Sequence, residues 1–189
     1  MQVYKVCITY IRCETPHSVR LNLGRPEQRR EAGQTRKLFF SRKREFTLQN
    51  EIWLPRPRNE VFSFFADARN LETLTPSWLK FEVLTPGPIA LRPGTLIDYR
   101  IRVHGFRIRW RTEISAWDPP RQFADMQLRG PYTLWHHTHT FEERDGGTLC
   151  LDQVRYCPRG GALVHWLFVR RDVERIFKFR QQRLMQLFP

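Results

Sequence analysis

Two neighbouring stretches of this chain alternate apolar and polar side chains with a period of two, and no other feature constrains the fold as strongly. In residues 95–103, Ile97, Tyr99, Ile101 and Val103 oppose Asp98, Arg100 and Arg102. In residues 106–117, Phe106, Ile108, Trp110 and Ile114 oppose Arg107, Arg109, Arg111 and Glu113. Such alternation marks strands with one face buried and one wet, as in an antiparallel sheet. His104-Gly105 between them makes a tight hairpin connection.

The rest of the chain extends this pattern. Phe46 to Leu54 places Phe46, Leu48, Asn50, Ile52 and Leu54 on one face, and Pro55 and Pro57 end the strand. Pro57 suits a first helical turn, and Val61, Phe62, Phe64 and Phe65 give the following helix its apolar face. Asn70 to Pro76 reads as a second short helix or turn, ended by the proline. Residues 79–84 are short and apolar, followed by the turn signals Pro86-Gly87-Pro88 and Pro93-Gly94. Beyond the paired alternating strands, Pro119-Pro120 and Gly130-Pro131 punctuate strands at 122–128 and 132–144. Asp145-Gly146-Gly147 is a hairpin turn into a last strand at 148–156.

Residues 158–161 break the sheet before one helix of about residues 162–187. Its apolar stripe, Trp166, Val169, Val173, Ile176, Phe177, Leu184 and Leu187, recurs at three-to-four spacing. The order predicts an α+β domain: a curved antiparallel sheet of about seven strands, two short helices after the first strand, and a long terminal helix across the concave face. The space between sheet and helix is the default functional site.

Composition supports a packed domain with an appendage. The chain of 189 residues is 41% hydrophobic and holds 14 Phe, 6 Trp and 5 Tyr, enough for a real core. The net charge of +13 is uneven: residues 1–45 carry 11 Lys/Arg against 4 Asp/Glu, a density far above that of residues 46–189. Residues 1–45 therefore read as a basic, poorly ordered extension, although residues 3–11 have the composition of a strand. An extension of this charge is the natural place for a nucleic-acid or membrane-surface adaptor, but its aromatics are not interleaved with its basic residues. Cys7, Cys13, Cys150 and Cys157 show neither metal nor disulfide spacing and read as reduced thiols. In the terminal helix the longest run free of charge, residues 160–169, is far short of the roughly 20 apolar residues needed to span a bilayer. A cytoplasmic protein without integral membrane association or specific nucleic-acid binding is expected.

Gly130-Pro131-Tyr132, Trp135-His136-His137-Thr138-His139-Thr140-Phe141 and Gly147-Thr148, set in this element order, resemble the START-like (SRPBCC) superfamily with its helix-grip fold. The likeness is greatest to bacterial ligand-binding proteins related to polyketide cyclases and coenzyme Q-binding proteins, and covers residues 46–187. The resemblance implies a domain that encloses a small hydrophobic ligand: a lipid, an isoprenoid or quinone, or an aromatic polyketide-like molecule. Members of the superfamily include carriers, receptors, cyclases and hydroxylase domains, so the fold alone does not choose among them. The Rieske cluster of the hydroxylase branch has no matching Cys/His pattern here.

Residue parity names the candidate site. Trp135, His137, His139 and Phe141 share one strand face; Phe123, Asp125 and Gln127 share another; Asp152, Val154 and Tyr156 a third. If all point inward with Tyr99 and Trp110, an apolar cavity holds a short list of polar groups: Tyr99, Asp125, Gln127, His137, His139, Asp152 and Tyr156. Trp166 and Arg180 join them from the helix. Arg180 either extends to solvent, the simpler expectation, or reaches an inward carboxylate or an acidic ligand head. The polar set admits a satisfied buried network, recognition of the polar end of an apolar ligand, or acid–base catalysis by His137 or His139 with Asp125 or Asp152 in a cyclase- or dehydratase-like (aromatase-like) enzyme. Binding without catalysis is the leading expectation. Two histidines at i and i+2 with a nearby aspartate have ligand geometry, but no third histidine is evident, so neither metal nor cofactor is expected.

Overall fold

The computed structural model describes residues 7–11 and 44–189. The strands are β1 (Cys7–Ile11), β2 (Phe46–Leu54), β3 (Glu82–Val83), β4 (Leu96–Val103), β5 (Phe106–Asp118), β6 (Gln122–Arg129), β7 (Tyr132–Arg144) and β8 (Gly147–Pro158). Between β2 and β3 lie α1 (Arg58–Ala66), α2 (Asn70–Thr73) and a 3-10 turn at Ser77–Leu79. The terminal helix runs as α3 (Gly161–Val164), a π-helical turn (His165–Val169) and α4 (Arg170–Leu187).

All strands join one antiparallel sheet in the order β1-β2-β8-β7-β6-β5-β4-β3. From β3 to β8 each strand pairs with the next, and β2 closes onto β8, so one long excursion through α1 and α2 separates two meander-like parts. The tight turns behave as their sequences dictate. His104 and Gly105 have φ of 48° and 87°, and Asp145 and Gly146 have 50° and 73°. Positive φ at both central positions suits the twist of a hairpin and favours glycine at the second. Residues 79–84 give less strand than their composition predicts: Lys80 enters the left-handed region at φ 44°, which interrupts extended chain and leaves only two residues in β3.

β1 pairs with Thr47–Glu51 of β2 and adds an eighth strand at the sheet edge. The remainder of residues 1–43, including the basic stretch at 25–37, lies outside the described residues, and with it the expectation of an adaptor in the tail.

The alternation in β2 sorts as its sequence predicts, with Leu48, Asn50, Ile52 and Leu54 buried. Across the concave face, α4 buries Val173, Phe177 and Leu184. Phe177 and Val173 pack with Leu48, Val154 and Tyr156; Leu184 packs with Leu54, Phe62, Phe123 and Phe141. Burying an aliphatic or aromatic side chain of this kind stabilises by roughly 1.5–3 kcal/mol, so the helix is held mainly by this seam.

Two residues depart from their patterns. Phe106 stands at the tip of the β4–β5 hairpin, beyond the reach of any covering element, and is 76% exposed. Trp166 belongs to the stripe by spacing but is 52% exposed. The π-helical turn inserts extra residues per turn, so helical steps extrapolated from α4 no longer hold there. His165 takes the inward position instead, buried and stacked on Phe46 at 3.5 Å between ring centroids.

Candidate functional site

Between the sheet and α4 lies a cavity of about 440 Å³. Its walls are mostly apolar: Ile97 and Ile101 from β4, Ile108 and Trp110 from β5, Trp135 from β7, Phe177 from α4. The volume lies within the range of pockets that hold small organic molecules. Of the polar side chains expected there, Tyr99, Asp125, His137, His139 and Arg180 line it, and Asn70, Thr112, His104, Arg159 and Asp172 line it as well.

Strand register assembles the cluster. Asp125 on β6 sits opposite His137 on β7, and His139 on β7 sits opposite Asp152 on β8. Side chains at such positions lie within 4.5–5.5 Å at Cβ, so two carboxylates flank two adjacent, mutually tilted imidazoles. The imidazole centroids are 3.8 Å apart. His137 Nε2 lies 3.1 Å from Asp152 Oδ1 and forms a hydrogen bond with it. His139 Nδ1 approaches the same oxygen to 2.7 Å, too obliquely for a hydrogen bond. On the cavity side, Asp125 Oδ2 is 3.8 Å from His137 Nδ1 and 3.7 Å from His139 Nε2. Asp125, His137 and His139 thus bring one potential metal-ligand atom each within 4.8 Å of one another.

The environment separates the protonation states of these groups. Burial pushes the Asp152 carboxyl up, but His137 and His139 outweigh it and hold the group well below its ordinary value. His137 is lowered, first by burial and then by the neighbouring His139. Burial acts on His139 in the same direction, yet its two carboxylate neighbours prevail and raise it. Asp152 is therefore a carboxylate that accepts the Nε2–H of a neutral His137.

Asp152 itself lies beneath the cavity floor, anchored by residues that parity alone did not single out. Asn50 Nδ2 donates to Asp152 Oδ2 at 3.4 Å, and Gln181 Nε2 donates to Asn50 Oδ1 at 2.5 Å and to the Glu51 carbonyl at 3.1 Å. Gln181, Asn50, Asp152 and His137 form a buried polar chain from α4 to β7. A sequence signal existed: Asn50 interrupts an otherwise apolar inward face.

Arg180 does not extend to solvent. It is 8% exposed, its guanidinium carbon lies 5.2 Å from the Phe177 ring centroid, and its Nε is buried without a hydrogen-bond partner. One turn of α4 below Phe177, it faces the sheet where a long side chain meets the cavity before it meets water.

Other candidates do not reach the cavity. Tyr156 is fully buried in the core, with its hydroxyl 3.4 Å from His165 Nδ1. Phe141 packs edge-on against Phe62 and Phe65. Gln127 donates to the Tyr132 carbonyl at 2.8 Å and holds the β6–β7 turn. Trp166 lies outside, against Arg170. The Arg107, Arg109 and Arg111 row is the wet face of β5, with Arg111 paired to Asp98 at 2.8 Å.

A curved antiparallel sheet gripping a C-terminal helix over an enclosed space defines the START-like, helix-grip class of domains. Within it, the chain belongs to the polyketide cyclase/dehydrase and lipid transport family, whose profile matches residues 54–184. Among solved structures, it is similar to the ZhuI aromatase/cyclase from Streptomyces sp. R1128, with 16% identity over 75% of this chain and 92% of that one, at a TM-score of 0.59. A major latex-like protein from Panax ginseng matches at 10% identity over 76% and 97%, TM-score 0.56. A protein from Chromobacterium violaceum matches at 15% identity over 75% and 96%, TM-score 0.61. At these identities the likeness carries the fold alone. A sequence comparison with curated proteins found no match.

Proposed function

We propose that the domain binds and carries a small hydrophobic molecule in the cavity between the sheet and α4. The observation that carries this reading is a largely apolar cavity of about 440 Å³ with the Asp125, His137 and His139 cluster on its wall. Apolar walls supply affinity through area removed from water, and a localised polar set orients one end of the guest. Arg180 supports a guest whose polar end is acidic or carries a carbonyl, since its buried guanidinium lacks a partner for Nε. Lipids, isoprenoid quinones and aromatic polyketide-like compounds all fit that description. A cytoplasmic place of action belongs to this reading; among the described residues no helix is long and apolar enough to cross a membrane.

Native mass spectrometry of protein purified from its own cells tests the proposal. A stoichiometric organic adduct is expected, together with a thermal shift from one of the three compound classes. A consistently empty protein that none of them stabilises would exclude the carrier reading.

A second reading rests on the His–Asp cluster. With His137 neutral and His139 raised, one imidazole is set to accept a proton and the other to hold one. That pairing suits general acid–base chemistry on a carbonyl compound, as in a cyclase or dehydratase. Replacing His137 and His139 by alanine should abolish turnover and spare ligand binding. Loss of folding in both variants would mark the cluster as structural.

A further inference from the structure

We propose that Asp125, His137 and His139 bind one divalent transition-metal ion at the cavity floor, with Asp152 orienting the imidazoles from beneath. The proposal is independent of what the cavity carries.

The geometry has two levels. Below, Asp152 accepts the Nε2–H of His137 at 3.1 Å and crowds His139 Nδ1 at 2.7 Å. A carboxylate behind the ring nitrogen that does not bind the metal is the usual outer partner of a histidine ligand, and it fixes both tautomer and ring plane. That tautomer leaves the Nδ1 lone pair of His137 directed to the cavity side, towards Asp125 Oδ2.

Above, no hydrogen bond closes the set formed by Asp125 and the two rings. The separations of 3.7 and 3.8 Å between Asp125 Oδ2 and the two ring nitrogens are too long for hydrogen bonds. Ligands held about 2.1 Å from one tetrahedral ion stand roughly 3.4 Å apart, so shifts of a few tenths of an ångström bring Asp125 to ligand spacing from each ring nitrogen, within a set that spans no more than 4.8 Å. A single proton bridges one pair at hydrogen-bond length; it does not serve an oxygen equidistant from two nitrogens at this range. A cation between the three atoms does.

Charge and access agree. Asp152 is buried and Asp125 partly buried, so a cation beside them offsets the desolvation of their charge, and a divalent ion adds to what Arg180 supplies. Asp125, His137 and His139 line the cavity, whereas Asp152 does not. Three protein ligands leave at least one coordination position open towards the guest, where a carbonyl, enolate or carboxylate oxygen binds. Two imidazoles and one carboxylate suit zinc, iron(II), cobalt(II) or nickel(II) over magnesium or calcium.

The test uses the tag-free full chain, stripped with chelator and titrated with Zn²⁺ and with Co²⁺. Stoichiometric binding is expected, with X-ray absorption of the Co²⁺ complex reporting two imidazole ligands. Asp125→Asn preserves size and leaves the Asp152 network intact; it should bind at least tenfold more weakly with an unchanged melting temperature. Absence of binding by the folded wild-type protein overturns the proposal. So does a bound ion without imidazole ligands, or undiminished affinity in Asp125→Asn. Should that variant fail to fold, the count of imidazoles in the wild-type complex decides.

Discussion

Asp152 Oδ1 stands 3.1 Å from His137 Nε2 and 2.7 Å from His139 Nδ1, a single buried oxygen serving two imidazoles of the neighbouring strand. Strand parity places both histidines on the inner face, and register places Asp152 opposite the second of them. One carboxylate thus holds His137 by a hydrogen bond and abuts His139.

Replacing Asp152 with asparagine should cost about 3 kcal/mol at neutral pH, because it removes one partner of a buried charged network. The folded carboxyl is held below its unfolded value, so its contribution is present above the unfolded value near 3.9 and is lost as pH falls through the folded one. Denaturant melts of wild type and Asp152→Asn should therefore diverge at pH 7 and converge in strong acid. Parallel curves across the range would place the stabilisation elsewhere.

Arg180→Met should behave in the opposite sense. The guanidinium is buried with Nε unpartnered, and an unbranched apolar side chain of similar reach removes that desolvation cost. The empty protein should melt roughly 2–4 °C higher for each kcal/mol gained. Binding of a long-chain carboxylic acid should weaken relative to its methyl ester, as read by calorimetry. An Arg180→Met protein that melts lower and binds acid and ester as wild type does would remove Arg180 from the site.

His165 provides a pH test away from the cavity. Burial and the nearby Arg170 lower its imidazole to about 4. A base with a depressed folded value resists protonation, so the unfolded chain binds the extra proton between about 6.5 and 4 and stability falls as pH drops through that window. His165→Phe keeps the stack on Phe46 and removes the titration; about 3 kcal/mol of acid sensitivity should vanish with it. Thermal melts at pH 7 and pH 4.5 on both proteins make the comparison.

Residues 46–189 should fold without the segment that precedes them. Deleting residues 1–45 removes β1, which among the described residues lies at the sheet edge and pairs with β2 alone. Loss of an edge strand leaves the seam between α4 and the sheet untouched, so circular dichroism should retain the full-length spectrum. An insoluble truncated chain would show that covering the β2 edge is essential.

The sequence by itself determined which segments are strands, which faces of β2, β4, β7 and β8 turn inward, and that one amphipathic helix closes the sheet. These follow from local periodicity, because burial on one face imposes a period of two on a strand and about 3.6 on a helix. Parity also brought Asp125, His137, His139 and Asp152 onto inner faces. It could not say which inner positions meet the cavity and which meet solid core: Tyr156 and Phe141 obey the same alternation as His137 and are packed away from the open space. That distinction depends on where α4 crosses the sheet. The exposure of Trp166 depends on a π-helical turn, which rotates the helix face by a non-periodic amount. The anchoring of Asp152 by Asn50 and Gln181 joins residues more than 100 positions apart, and the burial of Arg180 depends on where α4 lies over the sheet. Only the tertiary structure decides such contacts, since they are set by strand order and helix placement, and neither leaves a local mark on the chain.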